Sequence, residues 1–160
     1  MAEDLGIITD AVEELRAACD FPGMKVLHFT LYFNEQGRIG IVPPENSIVY
    51  TGTHDNNTTV GWYEKEVDER SKVTIARLLH ADPRDPGDVC EKLIEFAYAS
   101  DARMAIIPMQ DILHMDSRSR MNVPGTVGLN WKWCLKTEYT KDFDAAKLKV
   151  LCKKTGRWME

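Results

Sequence analysis

The stretch SIVYTGTHDNNTTVGWYEKEV, residues 47–67, runs from an apolar segment through a histidine, an aspartate and two asparagines into a helix-like pattern. SIVYTG predicts a buried strand and TTVGWYEKEV an amphipathic helix. Asp, Asn and Thr at such a junction accept hydrogen bonds from the free N–H groups of a first helical turn. Capping explains one or two of these side chains. It does not explain the whole run, and strand C-terminal ends are where parallel α/β proteins carry their chemistry.

Two further apolar segments resemble this one. MKVLHFTLYF (residues 24–33) predicts a strand buried on both sides, and RMAIIPM (103–109) a third strand. Met1–Leu5 can supply a strand stub. The NEQGRIGIVPPENS segment (34–47) reads as a loop or as half of a small hairpin. Helical patterns lie between the strands. In TDAVEELRAAC, Thr9 or Asp10 caps, Glu13 reaches back, and Ala11, Val12, Leu15, Ala18 and Cys19 share a face. SKVTIARLLH predicts another helix, and Asp88 or Gly87 starts one with Val89, Leu93, Phe96 and Ala97 on one face. QDILHM is a short turn, and a final helix runs from about Asp142 to Thr155, stopped by glycine. Apolar strands alternating with amphipathic helices predict parallel pairing in an α/β layer or barrel. With the stub there are about four strand units, half of the eight that a closed (β/α)8 barrel needs.

The 160 residues suffice for one domain with a core, and a 44% hydrophobic content with 9% aromatics excludes a disordered chain. The net charge of −5, without a basic stripe, argues against nucleic-acid binding. No apolar run approaches membrane-spanning length. Cys19, Cys90, Cys134 and Cys152 are scattered without a C-x-x-C pair, which reads as reduced thiols in a cytoplasmic protein. The opening MAEDLGIITDAVEEL enters a helix within a few residues, as a chain cut from something larger would.

Polar residues gather at four predicted strand ends: Glu3 and Asp4; His54 and Asp55; Gln110 and Asp111; and the loop DSRSRMNVPGTVGLN with Arg120 and Asn122. Standing alone, Glu3 is a terminal carboxylate, Asn122 a turn residue, and Gln110 with Asp111 the cap of a short turn. Two carboxylates on neighbouring strand ends can divide acid and base work, an arrangement suited to glycoside chemistry. Trp62, Tyr63, Trp131 and Trp133 would suit stacking on sugars, although core packing is the simpler explanation of each taken singly. His54, Asp55, His114 and Asp116 lack the spacing of a metal site. There is no G-x-S-x-G nucleophile motif and no phosphate-cradling glycine loop, so no metal and no cofactor is expected.

AEDLG, FPGMKVL, PPENSIVYTGTHDNNTTVGWY, MAIIPMQDIL and RMNVPGTVGLNWKW together resemble the 4-α-glucanotransferases, also called amylomaltases or disproportionating enzymes. The resemblance runs almost the whole chain, in the family's order and spacing. It implies the C-terminal half of a TIM (β/α)8 barrel of the α-amylase-like glycosidase type, with residues 1–160 forming one partial domain that lacks the N-terminal half. It implies retaining transfer of α-1,4-glucan segments among maltooligosaccharides, starch or glycogen. Glu3 matches the general acid/base, Asp55 the carboxylate that stabilises the transition state, His54 its sugar-contacting neighbour, and Asn122 a substrate-contacting asparagine. The family's nucleophilic aspartate lies upstream of AEDLG. NEQGRIGIVPPEN lacks the longer Pro-His-Asn-Tyr pattern of many relatives, and Cys134 follows NWKW where relatives often have arginine. Two expectations follow. Either the chain is an inactive piece of a transferase, or it is a non-catalytic half-barrel module that binds glucan or self-associates through open barrel edges.

Overall fold

A computed structural model describes residues 1–3, 5–6, 8–31, 42–141, 143 and 145–158. Asp4 and most of the predicted 34–47 loop or hairpin lie outside the described residues. Three strands form a parallel sheet in the order β1 (Gly23–Val26), β2 (Ser47–Tyr50), β3 (Met104–Ile106). In register, Val26 sits beside Tyr50, and Tyr50 beside Ile106, so the three C-terminal ends are level. Parallel neighbours need crossover segments, and helices supply them here. The fold is α/β, as the alternating pattern predicts.

Three corrections concern the strands. The apolar run after Met24 leaves the sheet at Leu27 and turns into a short helix, α2 (Leu27–Thr30), after α1 (Asp10–Ala18) and β1. His28 N–H donates to Thr51 O at 3.3 Å, so the backbone follows the end of β2 and then coils. Residues 32–33 lie outside the described residues. Residues 1–3 and 5 form no strand; Ala2 N–H donates to Pro22 O at 3.0 Å, just before β1. The third strand is only Met104–Ile106.

The crossover from β2 contains α3 (Thr59–Lys65), α4 (Glu69–Leu79) and α5 (Pro86–Ala99). Asp68 caps α4, accepting from the N–H groups of Arg70 and Ser71, both at 3.0 Å. The helix α5 starts earlier than Asp88 or Gly87. Proline suits a first helical position, and Asp85 accepts from the N–H groups of Gly87 at 2.9 Å and Asp88 at 3.1 Å. Val89, Leu93 and Ala97 are buried as their spacing predicts, against Val49 of the sheet and Trp62, Tyr63 and Ile75 of the neighbouring helices. Each fully buried aliphatic side chain contributes about 1.5–3 kcal/mol.

After β3 come α6 (Met109–Ile112), a single 3-10 turn at Ser117–Ser119, another at Thr137–Thr140, and α7 (Ala145–Lys154). The α7 helix occupies part of the predicted span from Asp142 and ends before Gly156, whose φ of +71° suits glycine. Arg157 then reaches back, donating to the carbonyls of Tyr98 (2.7 Å), Ser100 (2.7 Å) and Ala102 (2.8 Å). That grip fixes the connection from α5 to β3.

Two surfaces depart from ordinary burial. Helix α1 has no buried residue, and Leu15, on its shared apolar face, is 66% exposed. Its N-cap Thr9 makes no side-chain cap, and Glu13 pairs with Arg16 at 2.6 Å instead of reaching back. On β3, Met104 is 51% and Ile106 38% exposed, while Ala105 between them packs on the core. No described helix is long and apolar enough to cross a membrane.

Candidate functional site

The site is built where β2 and β3 end. Beneath it lies a buried polar network. The Asp111 carboxylate, on α6, accepts from Thr51 Oγ1 at 2.6 Å, Thr59 N at 2.7 Å and Thr59 Oγ1 at 2.8 Å. From more than fifty residues away in the sequence, it therefore ties the end of β2 to the start of α3. Burial raises its pKa, and the hydrogen bonds from both threonines oppose that rise.

His28 extends the network. Its ring stacks on Trp62 with centroids 4.4 Å apart and an 8° interplanar angle, and its Nε2 lies 3.0 Å from Thr59 Oγ1. The single Thr59 hydroxyl proton goes to Asp111, so His28 Nε2 carries the hydrogen and donates it. Nδ1 is then unprotonated and has no hydrogen-bond partner among the described residues. Burial, with the Arg120 charge adding to it, lowers the His28 pKa from 6.5 to about 3. The ring leaves room only for glycine at position 52, where a Cβ would come within 2.8 Å of His28 Cε1.

Above this floor the loop from Gly52 to Thr58 is organised by its own side chains. Asn56 Oδ1 accepts from Thr53 N and Thr53 Oγ1, both at 2.9 Å. Thr58 Oγ1 caps α3 by accepting from Gly61 N at 3.1 Å. Asn57 Nδ2 donates to Glu66 Oε1 at 2.9 Å and to Ser117 Oγ at 3.1 Å. Capping and loop closure therefore occupy Asn56, Asn57 and Thr58. His54 and Asp55 are left out of this work and stay exposed.

The two exposed side chains meet a second segment. Asn122 Nδ2 donates to Asp55 Oδ1 at 2.6 Å, and His54 Nε2 lies 3.3 Å from the same oxygen. Asn122 N donates to His54 O at 3.1 Å. Arg120 locks the pairing: Nη2 donates to Asp55 O at 2.7 Å, Nε to Asn122 O at 2.8 Å, and Nη1 pairs with Glu66 Oε1 at 3.3 Å. The His54 ring lies 5.0 Å from that of Trp131, which is 58% exposed. A cavity of about 140 Å3 opens between His54, Asn57, Gln110, Asp111 and Arg120.

Of the sequence candidates, His54, Asp55 and Asn122 come together. Glu3 is exposed, and no hydrogen bond or ion pair joins it to those three among the described residues. Gln110 and Asp111 are buried and serve the floor. Trp62 and Tyr63 are core residues, which leaves Trp131 and Trp133 as accessible aromatics. His114 pairs with Glu91 at 3.2 Å and Asp116 with Arg118 at 2.9 Å. Among the described residues no three His, Cys, Asp or Glu side chains gather as a metal site. Sequence reading grouped Arg120 with Asn122 in one loop without assigning it a role, and did not single out Glu66.

A family model described as 4-alpha-glucanotransferase (glycoside hydrolase family 77) matches residues 1–140. The chain belongs to this family. A 4-alpha-glucanotransferase of Streptococcus pneumoniae is 43% identical over 136 residues, covering 83% of this chain and 26% of the relative. One of Thermus thermophilus is 39% identical over 167 residues, covering 98% and 32%. The chain thus spans about a quarter to a third of these relatives' length. Among solved structures, an amylomaltase from Streptococcus agalactiae in complex with acarbose is 35% identical, with a TM-score of 0.88 over 99% of this chain and 32% of that one. The amylomaltase of Corynebacterium glutamicum, 16% identical with a TM-score of 0.59 over 98% of this chain and 28% of that one, shares the fold. Family membership agrees with the resemblance carried by the five sequence segments.

Proposed function

We propose that residues 1–160 form the C-terminal half of a glucanotransferase (β/α)8 barrel, one partial domain whose strand ends carry part of an α-1,4-glucan site. The observation that supports this best is the 2.6 Å contact of Asn122 Nδ2 with Asp55 Oδ1, with His54 Nε2 3.3 Å from the same oxygen. This is an exposed carboxylate held in place by an amide and an imidazole, suited to receiving sugar hydroxyls. The neighbour bound to acarbose adds support for an α-glucan ligand.

In the proposed reaction a carboxylate outside these residues attacks the anomeric carbon. Glu3 protonates the departing glycosidic oxygen, giving a covalent glucosyl-enzyme. Glu3, now a carboxylate, then takes the proton of an acceptor 4-hydroxyl, which displaces the enzyme and retains the configuration. Asp55 holds sugar hydroxyls more tightly as the ring flattens toward the oxocarbenium-like state, with His54 and Asn122 orienting it. Transfer prevails over hydrolysis when an ordered acceptor sugar outcompetes water. A polypeptide of these residues alone lacks the nucleophile and turns over no glucan. Glucose release from maltotriose by the purified chain, abolished by Glu3→Gln, would overturn that. The cytoplasmic location expected from the sequence is open to fractionation, since the Solanum tuberosum relative is named chloroplastic/amyloplastic.

A second reading, a self-associating or glucan-binding half-barrel, is favoured by the exposure of Met104 and Ile106 on one face of β3. Sizing at micromolar concentration tests it. A dimer would support self-association, and a monomer with cooperative melting would remove it.

A further inference from the structure

The Asp55–Asn122 site does not use every accessible aromatic. Trp133 and Tyr139, both half-buried, line a separate cavity of about 440 Å3 together with His114, Asp116, Arg118 and Ser119. Ser119 also lines the cavity of about 140 Å3 beside His54, so the two hollows share a wall. The smaller one is below the size of a typical small-molecule site, and the larger falls within that range.

The larger cavity has two kinds of lining. Trp133 and Tyr139 offer rigid rings of the kind that cover a flat C–H surface while presenting a polar tip. Opposite in chemistry is a planar charged pair: Arg118 Nε donates to Asp116 Oδ1 at 3.0 Å, and Nη2 lies 2.9 Å from Oδ2. The Arg118 side chain is 89% exposed, so its remaining N–H donors stay in contact with solvent. Aromatic rings beside a fixed carboxylate–guanidinium pair match a sugar, which has apolar C–H faces and vicinal hydroxyls that both accept and donate.

We propose that this groove is a remote subsite for an α-glucan chain, holding sugar rings of a substrate whose reacting portion lies at Asp55 and Asn122. The proposal rests on the glucan reading above. It predicts chain-length dependence: maltoheptaose reaches both hollows, and maltose fills only one.

The test is titration of the 15N-labelled chain with maltoheptaose and with maltose, following the indole N–H signals assigned by single Trp→Phe variants. Millimolar maltoheptaose is expected to move the signals of both Trp131 and Trp133. Trp133→Ala should weaken maltoheptaose about tenfold, the scale of one aromatic contact, and leave maltose unchanged. Arg118→Ala, a surface substitution that keeps the fold, should weaken maltoheptaose in the same direction. Movement of Trp131 without Trp133 would overturn the remote subsite and leave the Asp55 reading intact. Movement of Trp133 without Trp131 would uphold the subsite and count against the Asp55 reading. Movement of neither would overturn both.

Discussion

Acidification should unfold this protein through His28. An unfolded histidine takes its proton near pH 6.5, whereas the folded ring, buried against Trp62 with Nδ1 facing Gly52, resists protonation until about pH 3. Between those values the unfolded state binds the extra proton, so stability is full above pH 6.5 and falls as pH drops toward 3. At about 1.4 kcal/mol for each pH unit, the whole window amounts to roughly 5 kcal/mol. That is comparable with the total stability of a small domain. Asp111 works against it. Its raised folded pKa adds stability at acid pH, which is lost as pH rises from its unfolded value of 3.8 through the folded one. The assay is urea unfolding followed by tryptophan fluorescence from pH 8 to pH 4, on the natural chain and on His28→Gln. The glutamine amide can still donate to Thr59 but takes no proton. The variant should be the less stable at pH 8, having lost the Trp62 stack, and should lose much less stability on acidification. Equal pH slopes for the two proteins would refute the reasoning. So would a folded-state His28 ring that titrates near pH 6.5 by NMR.

Asp111→Ala strands the buried Thr59 N–H and removes the acceptor of two hydroxyls, so we expect a loss of about 3 kcal/mol or more in the same unfolding assay; Asp111→Asn, which keeps one acceptor, should lose about 1–2 kcal/mol. Arg157→Ala frees three carbonyls around the end of α5 and should lower stability by about 2–4 kcal/mol, read as an earlier thermal transition, with Arg157→Lys recovering only part. Gly61→Ala should destabilise despite the roughly 1 kcal/mol that alanine gains over glycine in a helix, because its Cβ would meet Ser117 Oγ, Asn57 Oδ1 at 2.7 Å and the Ser117 backbone N at 2.9 Å. A more stable Gly61→Ala protein would mean that the 3-10 turn does not abut α3.

The parts of the fold that were legible in the sequence are those where one local signal has one structural outcome. SIVY between turn residues gave β2, and a valine, leucine and alanine at helical spacing gave the buried face of α5. MKVLHFTLYF was ambiguous in physical terms. A run buried on both sides looks the same whether it stays in a sheet or coils after Val26, and the decision belongs to His28 and its partners more than twenty residues away. The shared apolar face of α1 makes a related point: amphipathicity marks a face that can be buried, and here nothing among the described residues buries it. His54, Asp55 and Asn122 were singled out by the resemblance of their segments, since Asn122 standing alone reads as a turn residue. Asp111 looked like a local cap because its partners, Thr51 and Thr59, are distant in sequence.

The two explanations offered for residues 47–67 turn out to describe different side chains of one segment. Thr51 and Thr59 are fully buried and bind Asp111, Asn56 closes the loop, and Thr58 caps the helix. Each of these holds backbone, and their sum fixes where Cα atoms 54 and 55 stand. Only after that geometry is set can two exposed side chains, which contribute little to stability, be brought together with Asn122. Arg120 completes the arrangement by donating to the carbonyl oxygens of Asp55 and Asn122, so the amide and the carboxylate meet at 2.6 Å through anchored backbones rather than through their own weak attraction in solvent. The capping and loop-closing residues are thus the condition on which Asp55 meets Asn122.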